Sequence, residues 1–192
     1  MTLPNKITVT RICLIPVFAL VAWMYGLTVV SNHPDERLRY ASAGIFILAA
    51  ATDGLDGFIA RRFNQRSRLG SILDPLADKG LIATAILVIV LGNWPNRFPV
   101  WFAVVVLGRD FLLGIGFLTL SNAIGDVTVR PSLLGKTATA LQITAILWVL
   151  LGVPWIAPVY ASVGAMIFTL ISGFGYIVDA FRQTQIAGRR RL

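Results

Sequence analysis

The run Asp53-Gly54-Leu55-Asp56-Gly57-Phe58-Ile59-Ala60-Arg61, followed by Gly70, Asp74 and Asp78, decides how the rest of the chain is read. Four aspartates fall in one 26-residue window. Positions three or four apart share a helix face, so Asp53 points with Asp56, and Asp74 with Asp78. Arg61 lies one turn beyond Gly57. Two facing helical segments can therefore aim all four carboxylates at one point. Such a set makes a binuclear site for hard divalent cations, because Mg²⁺ and Mn²⁺ favour oxygen ligands. A charged loop with a few ion pairs would need neither this spacing nor these glycines.

Composition sets the medium. Apolar residues make up 56% of the 192, and only 14% are charged. Mean hydropathy is +0.76. That much hydrocarbon exceeds what a soluble domain of this size hides. Runs near the ~20 residues that cross a bilayer recur down the chain. They are Ile7–Val30, Tyr40–Ala60, Leu69–Leu91, Phe98–Leu120, Leu133–Leu151 and Trp155–Phe181. The expected fold is all-α: a polytopic membrane protein of six transmembrane helices with a cytoplasm-facing active-site cavity. Pro34, Pro95, Pro131 and Pro154 punctuate the connections. With no linker, low-complexity tract or repeat, residues 1–192 read as a single domain. The first run lacks a small-residue cleavage site and reads as a retained helix, not a signal peptide. Its Pro16 is tolerable where neighbouring helices re-satisfy the freed carbonyl. Cys13 is the only cysteine, which excludes an intrachain disulfide and suits packing.

Charge placement sets the orientation. With six spans and the N-terminus inside, thirteen basic residues fall on the cytoplasmic side: Lys6, Arg11, Arg61, Arg62, Arg66, Arg68, Lys79, Arg130, Lys136, Arg182, Arg189, Arg190 and Arg191. Three fall outside: Arg37, Arg39 and Arg97. That asymmetry obeys the positive-inside rule and puts the aspartates at the cytoplasmic ends of the second and third helices. The net charge of +8 favours anionic lipid headgroups over nucleic acid, since the basic residues line a membrane face. Trp94, Trp101, Trp155, Tyr160 and Tyr40 lie near helix ends, as interfacial anchors do. His33, beside Pro34, Asp35 and Glu36, reads as a solvated turn.

The pattern D-x2-D-G-x2-A-R-x8-G-x3-D-x3-D is filled at every position, and in this the chain resembles the CDP-alcohol phosphatidyltransferases. Eight specified residues would align by chance about once in 10¹⁰ starting points. The resemblance implies an enzyme in the cell (inner) membrane with its active site facing the cytoplasm. It implies a CDP-diacylglycerol donor, release of CMP, two Mg²⁺ or Mn²⁺ ions and a homodimer. Asp53, Asp56, Asp74 and Asp78 are then the metal ligands, with Asp78 also the general base that takes the proton of the attacking hydroxyl. Gly57 and Ala60 lack bulk, so a cytosine ring or pyrophosphate can approach the backbone. They also suit tight helix packing, and a nucleotide pocket between helices needs both. Arg61 offers a planar fork to phosphate, or a brace for an aspartate. Gly70 permits the return between the two helices.

Weaker likenesses extend outward. Pro4-Asn5-Lys6-Ile7-Thr8-Val9-Thr10-Arg11, with Pro16, is similar to the opening of the family's bacterial glycerol 3-phosphate and phosphatidylglycerol branches. It implies that Asn5 and Thr8 lie near the CDP-lipid; both also suit a helix start. Arg11, Arg109 and Lys136, with Arg130, suit the phosphate of an anionic acceptor. Arg109 and Asp110 fall inside the fourth span, where an unpaired charge costs about 2.5–3.5 kcal/mol. They therefore face a cavity or each other, and a purely structural pair is the alternative role. Glycerol 3-phosphate is the favoured acceptor, on chain length, the opening segment and Gly135-Lys136. Phosphatidylglycerol, which would make the chain a cardiolipin synthase, is the alternative, on Arg109-Asp110 and Asn64-Gln65-Arg66-Ser67. Inositol phosphate and serine fit less well. A cation transporter would hold its acidic residues near the midplane across an inverted repeat. Here four of the nine acidic residues cluster at one rim.

Overall fold

In a medium without water, every backbone N–H and C=O must be satisfied inside its own segment, and a helix does this. The computed structural model describes residues 3–63, 70–124, 133–153 and 158–189, with side chains described over 8–52, 77–116, 133–153 and 158–175 and at Thr119. Six helices result: α1 Leu3–Val30, α2 Glu36–Phe63, α3 Gly70–Leu91, α4 Val100–Ile124, α5 Leu133–Leu151 and α6 Pro158–Arg189. Among the described residues every regular element is a helix. Thr8–Val30, Leu133–Leu151 and Pro158–Gly175 are long and apolar enough to cross a membrane.

Outward-facing side chains are as apolar as the core. Leu20, Leu48, Phe111, Leu112, Tyr160 and Phe174 are exposed, while Phe18, Phe46, Ile86, Phe102 and Ile146 are buried. Helices apolar all round need an apolar surround, either protein or lipid.

The helix ends show why the segments stop where they do. At the end of α1, the His33 N–H donates to the Thr28 carbonyl and that of Asn32 to Val29, at 3.2 and 3.1 Å. Asn32 has φ +60°. This is a Schellman close with asparagine in the left-handed position. Asp35 then caps α2, its Oδ1 accepting from the Arg37 N–H at 2.9 Å. The Thr28 hydroxyl ties the turn together, donating to the Tyr25 carbonyl at 2.7 Å and accepting from the Asp35 N–H at 3.2 Å. The end of α5 repeats the device with Gly152 at φ +65°. Its N–H donates to Val149, and that of Val153 to Trp148.

Two units make up the chain. The first comprises Met1–Phe98 and Ile146–Trp155. In it α1 packs on α2 and α3, and α2 packs on α3. Phe18 and Phe46, both fully buried, meet with ring centroids 5.6 Å apart. Buried Ala22, Ala43, Ala49 and Ser42 let the α1 and α2 backbones approach closely. At the end away from the aspartates, Arg39 pairs with Glu36 at 2.7 Å and donates to the Tyr40 hydroxyl at 3.1 Å. Burial alone would lower the Arg39 pKa, but the Tyr40 hydrogen bond, the Glu36 charge and Tyr25 together outweigh it and hold the group above its ordinary value. The second unit comprises Pro99–Ala145 and Ile156–Leu192, and in it α4 packs on α6.

Candidate active site

Asp53 and Asp56 occupy the last three turns of α2, and Asp74 and Asp78 the first three turns of α3. Both pairs therefore lie on helices, as their spacing of three and four requires. The two helices pack together and both lie on α1. Asp78 is half-buried. The side chains of Asp53, Asp56, Gly57, Ala60, Arg61, Gly70 and Asp74 lie outside the described residues, as does that of Asn5. Among the described residues no three His, Cys, Asp or Glu side chains group for a metal. Three of the four expected ligands are outside that set.

The face of α1 beside this window is polar and closed. Thr8 and Arg11, nearly one turn apart, are 1% and 0% exposed. Arg11 Nε donates to the Thr52 hydroxyl at 3.4 Å, a long bond, and that hydroxyl donates to the Ala49 carbonyl at 2.7 Å. Thr52 immediately precedes Asp53. A wholly buried guanidinium thus meets α2 one residue before the first carboxylate of the window. Uncompensated burial of such a charge costs several kcal/mol, on the order given by desolvation.

In the second unit, Arg109 Nη1 pairs with Asp110 Oδ1 at 2.6 Å, and Nη2 donates to the Ser172 hydroxyl at 2.8 Å. Side-chain exposures of 10% and 17% mark the pair as largely withdrawn from the surround. Lys136, in the first turn of α5, is exposed. Arg130 lies outside the described residues. His33 is exposed on the α1–α2 turn.

Residues 1–175 match the family model described as CDP-alcohol phosphatidyltransferase. The chain is also similar to the CDP-diacylglycerol–glycerol-3-phosphate 3-phosphatidyltransferase of Bacillus subtilis strain 168, 34% identical over 91% of this chain and 92% of that one. The protein of the same name from Escherichia coli K12 is 34% identical over 93% of this chain and 94% of its own.

The chain belongs to the CDP-alcohol phosphatidyltransferase family.

For a phosphatidyltransferase the donor set is chemically apt. Its four candidate ligands are all carboxylates, with no thiol or imidazole in the window, and that suits a hard cation. The polar residues inside the helices extend the inventory. Thr52, Gln142, Thr169 and Ser172 are absent from the sequence motif yet carry the hydrogen bonds described for Arg11 and Arg109 or adjoin them. The one sequence signal for them is a polar side chain inside an apolar run, a signal they share with many harmless Ser and Thr residues.

Proposed function

We propose that this enzyme transfers a phosphatidyl group from CDP-diacylglycerol to glycerol 3-phosphate, releasing CMP and forming phosphatidylglycerophosphate. The observation that carries this reading is likeness along nearly the whole chain to two enzymes named for that reaction. The family match from residue 1 to 175 supports treating the chain as one membrane domain. On this reading all six helices cross the inner membrane, the aspartates open to a cavity on the cytoplasmic side, and two copies pair as a homodimer. The diacylglycerol tails stay in lipid while the headgroup chemistry takes place at the interface.

Asp53, Asp56, Asp74 and Asp78 hold two Mg²⁺ or Mn²⁺ ions, which when bound offset the charge of the donor pyrophosphate. Gly57 and Ala60 admit the cytidine end of the donor, and Gly70 the return that follows. Arg61 and Thr8 hydrogen-bond the same ligand. Arg109 and Lys136 grip the acceptor phosphate. Arg11 serves the same phosphate. The acceptor hydroxyl oxygen attacks the phosphatidyl phosphorus and yields its proton to Asp78. The bond from that phosphorus to the bridging oxygen breaks, and CMP departs with it.

A nucleotide pocket that depends on these carboxylates predicts a linked signature. CMP should raise the melting temperature of the purified protein with Mg²⁺ present and leave it unchanged with chelator, because ligand binding to the folded state stabilises by mass action. A cation transporter would be stabilised by Mg²⁺ without regard to CMP. That pattern would remove the enzyme reading of the window.

A further inference from the structure

Arg109 and Gln142, from α4 and α5, each donate a hydrogen bond to the same buried turn of α6. Arg109 Nη2 donates to Ser172 Oγ at 2.8 Å. The Ser172 hydroxyl donates to the Thr169 carbonyl at 3.1 Å, which leaves its oxygen lone pairs for Arg109. The Thr169 hydroxyl donates to the Ala165 carbonyl at 2.7 Å, so toward Gln142 it is an acceptor, and Gln142 Nε2 donates to it at 2.9 Å. Every hydroxyl gives its proton to a helix carbonyl and receives one from a side chain of another helix. Both donors therefore point into α6, and because the Thr169 hydroxyl gives its proton to Ala165, the Gln142 amide meets it through Nε2 and keeps Oε1 buried without a hydrogen-bond partner. Gln142, Thr169 and Ser172 are all at most 1% exposed. The stem of Arg109 lies over Gly173, where an added Cβ would stand 3.4 Å from Cγ.

Neutralising one arginine inside a membrane requires no such arrangement, because Asp110 already faces it at 2.6 Å. A contact within one helix supplies charge but leaves the guanidinium free to turn about its stem. A second contact, from a different helix and to the other terminal nitrogen, fixes its plane. Orientation matters for a fork that must meet a phosphate, since guanidinium donors lie in one plane with fixed directions.

We infer that Ser172 is a positioning residue for the acceptor: it sets the plane of the Arg109 fork, while the Gln142–Thr169 bond pins to α5 the turn of α6 that carries Ser172. This rests on the proposed role of Arg109 at the acceptor phosphate. It makes Ser172 and Thr169 determinants of acceptor affinity although neither touches the substrate.

The test is steady-state kinetics on the full chain in lipid–detergent micelles, varying glycerol 3-phosphate and CDP-diacylglycerol separately. Ser172→Ala is expected to raise the KM for glycerol 3-phosphate about tenfold, the size of one hydrogen bond to a charged group. The KM for CDP-diacylglycerol should stay within about twofold. Ser172→Thr, which keeps the hydroxyl, should restore the acceptor KM. Thr169→Val keeps the shape without the hydroxyl and should shift the same parameter in the same direction by less. It also serves if Ser172→Ala fails to fold. Equal shifts in both KM values, or none in either, would overturn the inference and make the network a packing device. Arg109→Ala separates the layers: an unchanged acceptor KM there refutes the phosphate role itself. A raised value there with an unchanged Ser172→Ala and Thr169→Val refutes only the positioning.

Discussion

Single residues carry two testable points. Gly152 closes α5 at φ +65°, and a Cβ there would stand 2.6 Å from Arg39 Nη1 and 2.8 Å from Cζ. A left-handed conformation costs an L-residue about 1–2 kcal/mol, and displacing a guanidinium that is paired to Glu36 adds to it. Gly152→Ala should lower the melting temperature by roughly 5 °C with little change in turnover per folded molecule. An unchanged melting temperature would mean that the turn and Arg39 relax freely. Asp78 tests the chemistry instead. Asp78→Asn keeps the size and loses the base, so CDP-lipid binding should survive while turnover falls about 10²–10⁴-fold. Full activity in that variant would remove the proton-acceptor assignment.

At the scale of elements, interior and outward-facing positions should differ sharply although both are apolar. Phe46 is fully buried against Phe18, whereas Phe111 is 68% exposed. Phe46→Ala leaves a cavity and should destabilise by about 3 kcal/mol. Phe111→Ala trims a side chain that already lies mostly outside the protein and should stay within about 0.5 kcal/mol. Equal losses on thermal denaturation would contradict the packing described. The six helices were legible from apolar runs because hydrocarbon length is a constraint on sequence. Their ends were less so. α2 begins at Glu36, not Tyr40, because Asp35 caps it and the polar turn Glu36–Arg39 is helical without being apolar. α1 begins at Leu3 and α6 runs on to Arg189, beyond the apolar stretches that predicted them, because helices continue into the polar interface where hydropathy falls. α5 matched at both ends, Gly152 marking its stop.

For the whole molecule, the family was legible in the aspartate window, because its pattern fixes both residue type and spacing, and the family match covers residues 1–175. The bracing of Arg109 was not. Ser172, Thr169 and Gln142 belong to two helices and are brought together by packing alone, so no local pattern announces them. The orientation, with the window facing the cytoplasm, can be tested directly. In a Cys13→Ser background, a cysteine at the exposed turn position His33 should react with a membrane-impermeant maleimide on intact spheroplasts. A cysteine at Ser67, in the connection after α2, should react only once the membrane is opened. The reverse pattern would invert the topology argued from the basic residues.

The central claim is the transfer itself. Purified protein with CDP-diacylglycerol and Mg²⁺ should release CMP when glycerol 3-phosphate is added and not when phosphatidylglycerol is added, and the lipid product should be phosphatidylglycerophosphate. Release with phosphatidylglycerol alone would contradict the assigned acceptor and make the enzyme a cardiolipin synthase. Silence with both would place the acceptor among other alcohols.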